Sequence, residues 1–214
     1  MLCFFSVVFF RSPFNLTQII NKNKLKHSPI IVLLAIICIY TIMPAYHSTF
    51  IDTSSFKVIN NIPLIPLDTN QYDITDEVLD LFKANTFFKN FEFLNNSDRL
   101  LTYGILYINS LLLILNPSLN KNDATRKFYN YAIDNNIVPG DVNFKLNNMF
   151  MIQSNVNRLD LEELKQYLQA FRITLTNKLI LKVYTDFKDP SVATDVPNKF
   201  WLQFSKRKFM NKSL

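Results

Sequence analysis

DRLLTYGILYINSLLLIL, residues Asp98–Leu115, carries no charge after Arg99 and is apolar nearly all the way round a helix. A helix of that kind is either buried on every side or lies in a membrane. At 18 residues it is somewhat short for a membrane span, and Thr102, Asn109 and Ser110 interrupt it. The stretch therefore reads as the central core helix of an all-α domain. Ser97 is placed to cap it, Gly104 leaves room for a neighbouring helix to approach closely, and Pro117 follows its end.

Working outward, the chain supplies partners for such a helix. DITDEVLDLFKANTFFKNFEF, Asp73–Phe93, predicts a helix capped by Asp73 or Thr75, with Asp76 and Glu77 at the positive end of its dipole. Ile74, Val78, Leu81 and Phe88 share one face at helical spacing. Two residues break the pattern. Asn85 falls within the apolar stripe, where an unpartnered amide would cost ~1–3 kcal/mol. Phe87 falls on the opposite face, among Asp76, Asp80, Lys83 and Asn90, so it either packs under another segment or meets a partner. A third helix opens at Asn122 or Asp123 (DATRKFYNYAID), and VPGD, Val138–Asp141, is a turn. NFKLNNMFMI, Asn143–Ile152, alternates irregularly and is expected to be extended. A long fourth helix runs from about Leu159 to Tyr184 and buries Leu161, Leu164, Leu168, Phe171, Leu175 and Leu179. A loop from Asp189 through Pro197 precedes a fifth helix, Asn198–Met210, carrying Phe200, Trp201, Phe204 and the basic run Lys206, Arg207, Lys208. On the N-terminal side, Pro63 and Pro66 exclude regular helix from Phe50–Asp68, which is expected to be an extended arm on the surface. The expected fold is all-α: about five helices, one central and apolar and surrounded by the others, plus that arm.

Residues 1–42 have a different character. They hold both cysteines, Cys3 and Cys38, and four cations with no acid, so only +2 of the net charge of +6 belongs to Met43–Leu214. Ile30–Ile42 is apolar over 13 residues, which would span roughly 20 Å as a helix against a bilayer core of about 30 Å. Two readings fit. The basic NKNKLKH before it could flank a type II signal anchor, giving a membrane-anchored protein with a small helical lumenal domain and Asn95 and Asn211 as glycosylation candidates. Alternatively, the segment is translated upstream sequence and the protein starts at Met43. The second reading is adopted here, so residues 1–42 are set aside and 43–214 is taken as one helical domain. Membrane contact is expected only if residues 1–42 belong to the protein.

From Met43 onward the chain excludes much chemistry. With no cysteine there, it has no disulfide, thiolate nucleophile or zinc–thiolate site. Gly104 and Gly140 are the two glycines of the whole chain, too few for a phosphate loop, a dinucleotide fingerprint or a nucleophile elbow. His47 has no second histidine or cysteine after Met43 to share a metal, and is expected to be solvated. The pairs Asp76/Glu77 and Glu162/Glu163 are expected on exposed faces beside lysines. The expectation is no enzyme, no cofactor, no catalytic residue and no metal. The cluster Lys206–Lys208, with Lys199 and Lys212 nearby, suits an acidic protein partner better than nucleic acid, given the near-neutral balance. Cations at a helix C-terminus are in any case favoured by its dipole.

Six blocks in order carry a resemblance: MPAYHS (Met43–Ser48), FKANTFFKNFE (Phe82–Glu92), SDRLLTYGILYI (Ser97–Ile108), VPGD, YLQAFR (Tyr167–Arg172) and KFWLQFSKRKFMNKSL (Lys199–Leu214). Together they resemble subunit 3 of the actin-related protein 2/3 complex, the small p21 subunit family, whose members begin at MPAYHS. The chain departs from the family pattern at Asn60–Thr75 and Asn143–Asn157.

The resemblance implies a non-catalytic structural subunit of the cytoplasm and actin cytoskeleton. Its partners would be actin-related proteins 2 and 3, the other complex subunits and the actin filament, with ATP belonging to the actin-related subunits. It also implies an all-α fold with one helix surrounded by the others. Four residues are candidates for the protein interface. Phe87 is assigned to an apolar, permanent surface, and Lys206, Arg207 and Lys208 to a basic surface that meets acidic actin.

Overall fold

The computed structural model describes residues 45–68, 71–134, 138–142, 144, 146–152, 157–186, 188–189, 191–212 and 214. Residues 1–42, Met43, Cys3 and Cys38 lie outside them, as does part of Asn143–Asn157. The fold below is that of the unit Ala45–Leu214. It is mostly helical, with one small sheet: strands β1 (Val58–Ile59) and β2 (Ile62–Pro63), then helices α1 (Ile74–Asn85), α2 (Ser97–Ile114), α3 (Lys121–Ala132), α4 (Asn147–Phe150), α5 (Arg158–Val183) and α6 (Lys199–Leu202), and a 3-10 turn at Phe209–Asn211.

All of α2 is buried except Arg99, Leu113 and Ile114. Helices α1, α3 and α5, strand β2 and the 3-10 turn all pack on it. Gly104 sits where α1 and α5 press closest. A Cβ there would lie 2.7 and 2.8 Å from the Val78 methyls and 3.2 Å from the Phe171 ring. Of the polar residues that interrupt α2, Ser110 donates back to Leu106 O at 3.1 Å. The Thr102 hydroxyl and the Asn109 amide are buried with no hydrogen-bond partner among the described residues. Along α5, Leu164, Leu168, Phe171, Leu175 and Leu179 of the predicted stripe are buried, while Leu161 is half-buried.

Arg172 lies fully buried on that same face. Its guanidinium donates to Ala132 O at 2.7 Å and Asp134 O at 3.1 Å, two carbonyls at the C-terminal end of α3. It also donates to the Tyr103 hydroxyl at 2.9 Å. The last carbonyls of a helix have no partner within it and carry its negative end, so a buried cation here satisfies both needs. Burial pushes the Tyr103 hydroxyl up to about 12, so it stays a neutral acceptor.

Several elements differ from the sequence-based expectation. The segment Phe50–Asp68 contains no helix, but it is not a surface arm throughout: Ile59, Ile62 and Ile65 are buried. Asn60 and Asn61, at φ 52° and 63°, form a two-residue reversal between β1 and β2. Positive φ at both turn residues matches the twist of the paired strands, and asparagine tolerates it. The first helix stops at Asn85 rather than Phe93, where Thr86 Oγ1 bonds Phe82 O at 2.7 Å. Asn147–Phe150 is a helical turn, closed by Met151 at φ 51°, not an extended stretch. The fifth helix covers Lys199–Leu202 only, gives way to turns, and ends in a tail where Met210 and Asn211 adopt positive φ and Phe209 is buried.

Asp73 caps α1 by accepting from Thr75 N and Asp76 N, and Lys178 of α5 bonds it at 3.0 Å. Burial works to raise its carboxyl pKa, yet the Thr75 and Lys178 hydrogen bonds hold it below the usual range. A depressed folded-state pKa contributes stability above the unfolded value, lost as pH falls through the folded one. Urea titrations from neutral to acid pH are therefore expected to show a shallower stability loss for Asp73→Asn than for wild type. Gly104→Ala is expected to destabilise by about 1–3 kcal/mol through overpacking against Val78, read as a lower denaturation midpoint at unchanged slope.

Candidate protein interface

The polar chemistry of the domain converges on its first described residues, Ala45–Phe50, which form an arm ahead of the segment Phe50–Asp68. Tyr46 N donates to Asn85 Oδ1 and Asn85 Nδ2 donates to Tyr46 O, both at 2.9 Å. The amide inside the apolar stripe of α1 thus copies a backbone partner, with its oxygen and its nitrogen each bonded once. Asp98, fully buried, accepts from Ser48 N at 2.8 Å and Leu94 N at 2.9 Å, and pairs with His47 Nδ1 at 2.9 Å. Glu77, also buried, accepts at 2.6 Å from Ser48 Oγ, Thr49 N and Thr49 Oγ1. Ser97 Oγ bonds Phe50 O. Buried carboxylates require several donors, and here one short strand of chain provides them.

Two expectations are corrected by this network. His47 is not solvated: it bonds Asp98, and its ring packs on Phe91 at 5.0 Å. Glu77 is not on an exposed face, because the arm covers it; Asp76 beside it pairs with Lys178 at 2.7 Å. Half-buried Asn95 accepts from Asp98 N through Oδ1 at 2.8 Å. Glu163 pairs with Lys57 at 2.7 Å on the surface, while Glu162 is exposed.

Beyond α1, Thr86–Phe93 runs between the arm and the C-terminal tail. Phe91 packs on His47 on one side and on Phe209 at 5.7 Å on the other. Phe88 O accepts from Met210 N at 3.0 Å. The tail is held by rings: Trp201 stacks on Phe82 at 5.9 Å, and Phe204 meets Phe82 edge-on at 5.7 Å. These contacts set where the predicted interface residues emerge. Phe87 lies past the helix end, packs on Phe204 at 6.4 Å and is 57% exposed. The Arg207 guanidinium lies over its ring, 4.4 Å from the centroid. Lys206 and Lys208 flank it, exposed. The structure therefore brings Phe87 and Arg207 into one patch. The helix-end explanation for the basic run falls away, since the run lies beyond a four-residue helix that ends at Leu202. An exposed cation–π contact is worth ~0.5–1 kcal/mol.

The hairpin and the arm network were missed by the sequence reading. Two asparagines between β-branched residues (Val58-Ile59-Asn60-Asn61-Ile62) signal the hairpin. Nothing local signals that Asn85, Glu77 and Asp98 would bind the same arm. Among the described residues there is no group of three or more His, Cys, Asp or Glu side chains placed to hold a metal ion. Nor is any helix there long and apolar enough to cross a membrane. Glu77→Gln puts an amide donor against three donors. It is expected to cost about 1–3 kcal/mol and to speed hydrogen exchange of the Ser48–Phe50 amides selectively. Unchanged exchange would refute the arm's dependence on Glu77.

Comparison with known proteins places the chain in a family. The family model P21-Arc, described as the ARP2/3 complex ARPC3 (21 kDa) subunit, matches residues 43–214. Actin-related protein 2/3 complex subunit 3 of Saccharomyces cerevisiae is 45% identical over 186 residues, covering 80% of this chain and 100% of the relative. The protein of the same name in Schizosaccharomyces pombe is 39% identical, covering 80% and 100%. That of Dictyostelium discoideum is 40% identical, covering 79% and 99%. Four of the blocks that carry the resemblance supply the arm, the helices it binds and the tail that closes over them, and with the family match this establishes that the chain belongs to the P21-Arc family of ARP2/3 complex subunits.

Proposed function

We propose that this chain is a non-catalytic structural subunit of an actin-related protein 2/3 complex, working in the actin cytoskeleton. The observation that carries the reading is similarity running the full length of the relatives and starting at residue 43. Residues 43–214 form the functional domain in this reading, and residues 1–42 lie outside it. The domain is organised as one apolar helix surrounded by the others, with the arm from Ala45 laid across α1 and α2. Near-complete burial of α2 and the hydrogen bonds to Tyr46, Ser48 and Thr49 support that arrangement.

The subunit acts by holding shape. It lies against actin-related protein 3 and contributes to the surface that meets the mother filament, while nucleotide chemistry belongs to the actin-related subunits. Phe87, Lys206, Arg207 and Lys208 form the candidate interface. A cationic, exposed patch suits a regulated contact with an acidic surface better than a permanent apolar one.

Native immunopurification followed by mass spectrometry tests the reading. Two actin-related proteins and a β-propeller subunit are expected to co-purify, with an intact mass matching a start at Met43. A lone, heavier, glycosylated chain in membranes would overturn it. Replacing Lys206, Arg207 and Lys208 together by alanine is expected to weaken branching by about tenfold or more, with the larger loss at low salt. The complex is expected to assemble normally; loss of assembly would assign the trio to the permanent interface.

A further inference from the structure

Within the basic run, Arg207 alone lies over an aromatic ring, at 4.4 Å from the Phe87 centroid. Among the described residues, no carboxylate lies within 4.0 Å of Lys206, Arg207 or Lys208, whereas Arg126, Lys165 and Lys182 each have one and Lys57 and Lys178 each have two. Lys199–Lys212 carries five cations and no acid. The tail segment that crosses Thr86–Phe93 is thus purely cationic, with its three consecutive cations Lys206–Lys208 next to Phe87.

A guanidinium stacked on a ring has one face covered and its planar fork of N–H donors left free at the edge. That edge matches a carboxylate bidentately, and an ammonium group cannot reproduce it. Phe87 is itself fixed by Phe204, which packs on Phe82 of α1, so the ring under Arg207 is anchored to the helical core. Lys206 and Lys208 supply point charges on either side.

We propose that Phe87 is a positioning residue that holds Arg207 as a bidentate donor to a carboxylate on an acidic protein surface, the side of the actin filament. The proposal rests on the scaffold reading above. It moves Phe87 from a permanent apolar contact to the service of the basic patch. The flanking lysines steer, and the Phe87–Arg207 pair confers the geometric selectivity.

The test uses the purified complex carrying the full-length subunit with Phe87→Leu, Phe87→Trp, Arg207→Lys or Lys206→Ala. Co-sedimentation with actin filaments is measured between about 50 and 200 mM KCl. Phe87→Leu and Arg207→Lys are each expected to weaken filament binding about tenfold with the other subunits retained. Phe87→Trp is expected to bind as wild type, because a larger ring still carries the guanidinium. Lys206→Ala is expected to show a smaller loss that fades with salt. Wild-type binding by Arg207→Lys or by Phe87→Leu would overturn the proposal. So would loss of other subunits from the Phe87→Leu complex, or Phe87-dependent retention on double-stranded DNA in place of filaments. A wild-type chain that fails to co-purify with actin-related proteins overturns the scaffold reading and the proposal with it, whereas the variants bear on the proposal alone.

Discussion

Burial of nearly the whole surface of α2 is the constraint on which the domain depends. A helix with no polar face leaves no side for water, so other elements must come to it from several directions. Gly104 lets α1 and α5 press in together. On another face, Tyr103 accepts a hydrogen bond from Arg172 of α5, and the Tyr107 hydroxyl pairs with that of Thr176. Asp98, in its first turn, then becomes a buried acid that must be satisfied from outside the helix. The arm is the consequence: its backbone and side-chain donors fill Asp98 and Glu77 together.

That arrangement explains why so little of the chain looks like a working site. The residues that would ordinarily suggest chemistry, His47, Glu77 and Asp98, are used to fasten chain to chain. Arg172 holds the end of α3, and Asp73 with Lys178 ties α1 to α5. A structural subunit needs rigidity at its contact surfaces more than a reactive pocket, and a surface side chain is rigid only when its support is. Phe87 illustrates the principle: it is exposed, yet it rests on Phe204 and through it on Phe82. The basic tail is likewise placed by Trp201, Phe204 and Phe209, rings buried in the core.

Helical propensity carried the sequence reading where packing agreed with it, and failed where tertiary contacts won. Thr86–Phe93 has helical patterning, but its phenylalanines are claimed separately by His47, Phe204, Phe209 and the tail backbone. Continuing the helix would rotate them away from those partners. The tail fails in the same way, since Phe209 must turn inward just after three exposed cations.

The sequence by itself determined the class of fold, the long helix of α5 with its leucine stripe, the buried character of Asp98–Leu115 and the close approach at Gly104. Each follows from periodicity or from the absence of a side chain, and both are local properties. It also determined the family, because ordered blocks survive in the text whatever they do in space. The tertiary structure decided the rest. The partner of Asn85 lies 39 residues away, those of Glu77 lie 28 and 29 away, and that of Phe87 is the Arg207 fork across the fold. A hydrogen bond or a stacked ring leaves no periodic trace in the chain, since it depends on where two distant segments are brought by the packing of everything between them.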